Sequence, residues 1–363
     1  MTSRACDSCL RRTWLLGRLS GHLDVERKRI WELLELGDDA LITALAGRSA
    51  PAVHAQFVAF GPDAAARARE RALGRGVSLI CACDPGYPGR LRELAAPPAV
   101  LHVMGGIERL LRLCGQDPVA VVGARKASAY GTGVAWSLAG DLGRSGVTVV
   151  SGMAAGVDTA AHCGALDVGA GTVAVLPGPA DREYPPSRAF VHRRIVREGV
   201  TVSEIALDTP VRNWMFAARN RLIAGLSCAT VVVQATARSG SLLTARAGQW
   251  LQRPIGAVPG QVTSQLSAGP NQLLADGAAM IRGAQDVLDL LYGVGSRSVV
   301  VDRRPDPTPR QALLLRAIAS GLDTAGALAG ADLADIRWLA ELAALELAGR
   351  VRRGPGGRLS VVP

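Results

Sequence analysis

Glycine, arginine, lysine and serine meet in one short stretch of this chain, in an order that suits anion binding. An apolar run, Val119-Ala120-Val121-Val122, is followed by Gly123-Ala124-Arg125-Lys126-Ala127-Ser128-Ala129-Tyr130-Gly131. The pattern is that of a strand, a glycine turn and the start of a helix. Gly123 and Gly131 permit tight backbone angles. The first N–H groups of a helix have no intrahelical partner and carry the positive end of its dipole. Arg125, Lys126 and Ser128 add side-chain donors at the same place, and phosphate is the anion such a nest suits best. The plainer reading is a helix N-cap with two solvated basic residues, and this loop alone does not separate the two.

Further segments at expected strand ends extend the theme. Ser151-Gly152-Met153-Ala154-Ala155-Gly156-Val157-Asp158 is followed by Ala161-His162. Gly152 and Gly156 allow close backbone approach, and Asp158 suits a helix cap. His162 falls on the same helix face as Asp158. The two residues make either an acid/base pair or a hydrogen-bonded pair that pins the loop. With no nucleophile or metal set beside them, the structural reading is preferred. Pro177-Gly178-Pro179 leads to Tyr184-Pro185-Pro186, a rigid turn. The run Arg212-Asn213-Trp214-Met215-Phe216-Ala217-Ala218-Arg219-Asn220-Arg221 is the densest meeting of basic and aromatic residues. Arginine forks suit phosphates and flat apolar rings suit unpaired bases. The alternative there is a helix start with a buried Phe and solvated arginines. Ser239-Gly240-Ser241 again precedes a helical pattern, and Pro259-Gly260 and Gly269-Pro270-Asn271 complete the set.

Together these loops suit a linear polyanion or a nucleotide. The second strand ends in Ser151-Gly152 rather than a ribose-binding acid, which disfavours a dinucleotide. No G-x-x-x-x-G-K-[ST] run occurs, so a P-loop ATPase is excluded.

Cys6-x-x-Cys9 and Cys81-x-Cys83 offer four thiolates that could hold zinc and tie the N-terminus to the first strand. C-x-C is not the usual second half of such a site. Ordinary reduced cysteines are the preferred reading, so no metal and no cofactor are expected. Seven cysteines, an odd number, suggest no oxidised framework.

The elements that must position these residues follow from pattern and composition. The chain has 363 residues, enough for two or three domains. Apolar residues make up 48% and charged residues 20%, so a packed core is expected. Net charge is +10, and of the 41 basic residues only Lys28 and Lys126 are lysine. The sign favours a polyanionic partner, although coding bias accounts for much of the Arg-for-Lys exchange. No run of about 18 apolar residues indicates a membrane span, and the N-terminus lacks a signal-peptide core, so a cytoplasmic protein is expected. Residues 1–75, Leu-, Ala- and Arg-rich with glycine breaks, predict a small helical domain. Residues 76–292 alternate strands and helices. A strand is expected at Val77–Ile80, then at Val119–Val122, Val147–Ser151, Thr172–Leu176, Val200–Ser203, Thr230–Gln234 and Ile255–Val258. These are continuous apolar runs, as in sheets covered on both faces. They predict an α/β, doubly wound parallel sheet with ligands at its carboxyl edge. Residues 293–309 read as a Pro-bearing linker. Residues 310–363 read as three helices and a hairpin, a winged helix. Its third helix carries Asp332, Asp335, Arg337 and Glu341, which favours protein contact over duplex binding.

The ordered set of motifs in 105–290 resembles the bacterial DNA-processing protein A family (DprA/Smf). The resemblance rests on Gly123-Ala124-Arg125 with Ser128-Ala129-Tyr130-Gly131, Ser151 to His162, Tyr184-Pro185, Phe216 to Leu226, Ser239 to Ala245 and the last loop. The tail from Leu339 to Val351 resembles the family's optional winged helix, and the first 75 residues its small SAM- or helix-hairpin-helix-like domain. The resemblance implies a non-catalytic homodimer that binds single-stranded DNA without sequence preference. It also implies loading of RecA and displacement of single-strand-binding protein in natural transformation or related recombination. It assigns phosphates to Arg125, Arg219 and Arg221, a base to Phe216, and the anion nest to Gly123 and Ser128. Lys126, Gly152, Gly156, Arg212, Asn220, Ser239 and Gly240 complete the implied site. Three positions depart from the pattern: Ala217 replaces Pro, Asn213 stands where Lys is common, and Gln234 stands where an acid is usual. Two other readings remain open: a phosphoribohydrolase-like enzyme on the same sheet, and a winged-helix transcription regulator.

Overall fold

The computed structural model describes residues 3–183, 185–300, 307–330 and 337–361. The apolar runs become strands β1 (Ser3–Arg4), β2 (Ser78–Cys81), β3 (Val100–Met104), β4 (Val119–Val122), β5 (Val149–Ser151), β6 (Thr172–Val175), β7 (Val200–Ser203), β8 (Ala229–Val232), β9 (Ile255–Ala257) and β10 (Ala279–Met280). They join in one sheet in the order β1-β2-β3-β7-β6-β5-β4-β8-β9-β10. Every neighbouring pair is parallel except those of β3, which runs antiparallel to β2 and β7. From β4 the chain winds outward through β5, β6 and β7, then returns to lay β8 against the other side of β4. The crevice above β4 and β8 is therefore the topological switch point.

Side chains alternate across the sheet with period two. Ala120 and Val122 face one core cluster with Leu222, Ile223 and Leu226, whereas Val119 and Val121 face the other with Leu138 and Leu142. Each fully buried Val or Leu contributes about 1.5–3 kcal/mol, so β4 is held from both sides.

The helices of 1–75 do not stand apart as expected. Residues 1–166 and 170–299 form one compact unit. The helices Asp7–Arg18, Ser20–Val25, Ile30–Glu35, Asp38–Ala46 and Ala50–Val58 bury Leu15, Leu23, Leu33, Leu41 and Val53 in one cluster with Ile205, Trp214, Met215 and Ala218. Nothing local in sequence announces that partnership, because its two halves lie about two hundred residues apart. The second compact unit takes in 300–363 with 167–169. Its described part has helices Pro309–Ala319, Ala325–Ala329 and Trp338–Leu347 and an antiparallel hairpin, β11 (Val351–Arg353) with β12 (Leu359–Val361). Leu314, Ile318, Leu328, Leu342, Leu345, Val351 and Leu359 form its core. That is the element order expected of a winged helix. Asp332, Asp335 and residues 301–306 of the expected linker lie outside the described residues. Among the described residues, no helix is long and apolar enough to cross a membrane.

Candidate functional site

Backbone turns at the ends of β4, β5 and β8 build the site. At Gly123 a Cβ would stand 2.6 Å from a Val157 methyl and 2.8 Å from the Gln234 carbonyl, so only glycine fits. Ala124 N–H donates to that carbonyl at 2.6 Å, stitching the loop after β4 to the loop after β8. Gln234 then braces the next turn. Its Oε1 accepts from Ser128 N–H at 3.0 Å, and its Nε2 donates to Ser128 Oγ at 2.9 Å. Ser128 Oγ also accepts from Gly131 N–H at 3.2 Å, capping the helix Ala129–Arg144. Ser128 is thus held by the fold and does not line the cavity described next. Gln234, the unusual residue, is the strut of the loop rather than a loss to it.

A cavity of about 650 Å³ opens at the switch point. Arg125 and Lys126 from the loop after β4 stand exposed on its rim. The helix Asn213–Leu226 supplies Asn213, Phe216, Arg219 and Asn220, and the start of the helix Ser241–Trp250 supplies Ser239, Gly240 and Ser241. The Arg125 guanidinium lies over the Phe216 ring, 4.9 Å from its centroid. Asn220 Nδ2 donates to Gly240 O at 2.9 Å, joining the two walls. Ser239 and Ser241 hydroxyls lie 2.8 Å apart. The amides that open this helix are taken: Leu242 and Leu243 N–H donate to Ser239 and Gly240 carbonyls at 3.1 Å. The binding capacity of the rim therefore lies in side chains more than in a backbone nest.

The helical layer of the N-terminus aims the aromatic wall. Asp24 Oδ1 accepts from Trp214 N–H at 2.9 Å, satisfying a first-turn amide of the helix Asn213–Leu226. Trp214 Nε1 donates to Ser20 Oγ at 3.0 Å, and Trp31 Nε1 to Ala217 O at 2.8 Å. The same layer places exposed Arg27 at the cavity. Sequence reasoning missed Arg27, although the basic run Arg27-Lys28-Arg29 was a signal. Asn213 also lines the cavity, whereas the neighbouring Arg212, a member of the implied site, does not.

Two arginines expected to hold phosphate are committed elsewhere. Arg221 is buried. It donates to Ala96 O and forms a close ion pair with Glu204, itself buried at the end of β7. It is not among the cavity residues. Arg219 does reach the cavity, yet it is also buried, and its Nη1 donates to the Gly152 and Val175 carbonyls. Burial pushes its guanidinium down to about 10, against the opposing pull of Asp158. Asp158 in turn accepts from Ala154 N–H at 3.3 Å; burial raises its carboxyl, and Arg219 opposes the rise. Gly152 and Gly156 support this floor rather than line the cavity. A Cβ on Gly152 would collide with the Arg219 guanidinium, and one on Gly156, at φ +81°, with the Ala124 and Arg125 carbonyls.

His162 is not paired with Asp158. Its Nδ1 lies 2.8 Å from Thr172 Oγ1, and burial pushes the imidazole down to about 3, so it stays neutral. The expected hydrogen-bonded pair is corrected to two separate anchors, Asp158 on the loop amides and His162 on β6. Tyr184 lies outside the described residues.

Known proteins resemble this chain over most of its length. Residues 78–292 match the family model described as DNA recombination-mediator protein A. A Mycobacterium tuberculosis protein assigned as DNA processing protein DprA is 36% identical over 309 residues, covering 79% of this chain and 78% of the relative. The crystal structure of DNA processing protein A from Streptococcus pneumoniae superposes with a TM-score of 0.63 at 27% identity, covering 78% of this chain and 98% of that one. DNA processing protein A from Helicobacter pylori, whose structure was described for its single-stranded DNA binding mode, matches at TM-score 0.51 and 32% identity, covering 56% of this chain and 92% of that one.

Proposed function

Because the chain belongs to the DNA recombination-mediator protein A family, we propose that it binds single-stranded DNA in the cavity above β4 and β8, without sequence preference and without catalysis. The observation that carries this reading is the exposed Arg125 guanidinium resting on the Phe216 ring at the cavity mouth. A flat apolar face beside cations is what an unpaired, stacked strand needs and a duplex does not. Arg125, Lys126 and Arg27 hold phosphates, and Phe216 and the Asn213 amide meet bases. Arg219 and Asp158 stiffen the floor. An acid/base pair has no support, since His162 is buried and neutral away from the cavity. The bound strand is then presented to RecA while single-strand-binding protein is displaced, with the chain acting as a homodimer in the cytoplasm during natural transformation or related recombination.

The test is a salt titration of oligo-dT and duplex binding by the full chain. Binding to oligo-dT should fall with log salt by about 0.7 per phosphate held. Equal or better binding to duplex, or none to oligo-dT at low salt, sinks the proposal. The mediator role is checked separately, by the rate at which RecA nucleates on strands coated with single-strand-binding protein.

A further inference from the structure

The two cysteine pairs, distant in sequence, meet at the β1–β2 edge of the sheet. The sulfurs of Cys6, Cys9, Cys81 and Cys83 all lie within 4.8 Å of one another, and those of Cys9 and Cys83 are 3.6 Å apart. Four thiolates around zinc, with bonds of about 2.3 Å, stand at corners about 3.8 Å apart. A disulfide needs about 2.05 Å. The sulfurs therefore sit at the spacing of a tetrahedral site.

Topology brings them there. β1 pairs with β2 in parallel, Ser3 opposite Leu79 and Arg4 opposite Ile80, which lays Cys6 beside the end of β2. Cys6 precedes the helix Asp7–Arg18, and Cys9 follows in its first turn. Cys81 ends β2, and a turn closed by Asp84 N–H on Cys81 O at 2.9 Å curls Cys83 back toward it. The C-x-C spacing, unusual in a linear motif, suits a strand end that turns at once. Cys6 N–H donates to Cys81 Sγ at 3.4 Å, and Cys81 Sγ in turn donates to Arg4 O at 3.3 Å, which fixes that sulfur between the two chain segments. The backbone on each side is fixed by an arginine: Arg69 Nε donates to Ala5 O at 3.0 Å, and Arg92 Nη1 to Ala82 O at 2.5 Å.

We propose that Cys6, Cys9, Cys81 and Cys83 bind one structural zinc ion. On binding, the four thiols release their protons, leaving a doubly negative cluster. The first-turn amides of the helix Asp7–Arg18 suit that charge, while the Arg69 guanidinium is paired with Asp7. The ion staples the helical layer to the edge of the sheet, and so fixes the layer that carries Arg27 and the anchors of Trp214. This inference is independent of the DNA-binding reading.

Elemental analysis of the full chain, grown with zinc and purified without chelator, tests it. About one zinc per chain is expected. Cys9→Ser and Cys83→Ser should lose it, while Cys163→Ser and Cys228→Ser keep it. Because a ligand variant can fail to fold, the wild-type chain is also titrated with a mercurial, which should release its zinc as four thiols react. Less than about half an equivalent of zinc, iron in its place, or full metal content in Cys83→Ser overturns the proposal. So does a disulfide, seen as fewer than seven alkylated cysteines after denaturation in chelator without reductant.

Discussion

Arg125 on the rim of the cavity and the buried Arg219 and Arg221 occupy neighbouring motifs but opposite environments. The rim guanidinium is exposed and rests on an aromatic face. The other two are buried and served by carbonyls and by Asp158 and Glu204. A solvated cation is held at little cost and can trade water for phosphate. A buried one is uncompensated unless the fold supplies its partners, so it belongs to the scaffold. The same residue type, in one family-like run, thus divides into binding and bracing roles. Changes on the rim should show in affinity and changes at the buried pair in stability.

The largest effect that tests this division is Arg221→Ala. It leaves the Glu204 carboxylate buried without its cation, and Glu204 Oε1 already lacks a partner. Breaking such a pair costs about 3–5 kcal/mol, read as a lower denaturation midpoint, with the folded fraction still binding oligo-dT. An unchanged midpoint with lost binding would move Arg221 to the rim class. Arg219→Ala comes next. It strips donors from the Gly152 and Val175 carbonyls and leaves Asp158 without its neighbouring cation. Charged hydrogen bonds contribute about 1.5–3 kcal/mol, so a loss of roughly that size is expected. Burial already raises the Asp158 carboxyl, and losing Arg219 raises it further. Wild type and variant both hold the Asp158 proton to higher pH than the unfolded chain does, and the variant holds it longest, so the variant's deficit should grow as pH rises from the raised Asp158 pKa of the wild type through the still higher one of the variant. A deficit independent of pH would detach Arg219 from Asp158.

How much of this was legible in sequence depends on whether the signal was local. β4 matches its apolar run end to end, because burial on both faces leaves an uninterrupted hydrophobic string, and β7, Val200-Thr201-Val202-Ser203, keeps its expected bounds. β3 escaped notice, since His102 interrupts Val100-Leu101 and Val103-Met104. In the fold His102 is buried, and that burial pushes it down to about 4, so a neutral imidazole passes for a core residue. β1 and β10 are two residues long and have no period to detect. Arg125 was recognisable because its loop is self-contained. Arg221 was not, because its partner Glu204 follows a different strand. Arg27 depends on the same kind of non-local meeting, which spacing along the chain does not record, whereas the two cysteine pairs already stood out as four candidate zinc ligands.

On the rim the expected effects are smaller and belong to binding alone. Phe216→Ala removes the stacking face and should cost about 1–3 kcal/mol of oligo-dT affinity, with the salt slope intact. The idea of a base on this ring fails if affinity holds while the slope changes. Arg125→Ala should do the reverse: a slope shallower by about 0.7 and affinity several-fold lower at low salt, at an unchanged denaturation midpoint. A drop in midpoint like that of the buried arginines would erase the contrast between rim and floor.

The finest test asks whether the guanidinium and the ring act as one unit. Their contact at 4.9 Å has cation–π geometry. If a base stacks on the ring while Arg125 keeps its place, ordering each group helps the other, and the double variant should lose less than the sum of the single losses. The expected coupling is about 0.5–1 kcal/mol, obtained from oligo-dT affinities of the four proteins in one buffer. If the base must instead displace Arg125 from the ring, binding breaks their contact and the coupling changes sign. A coupling of zero would make the rim two separate contacts, and the pairing of cation and ring at the cavity mouth would carry no meaning for the strand it holds.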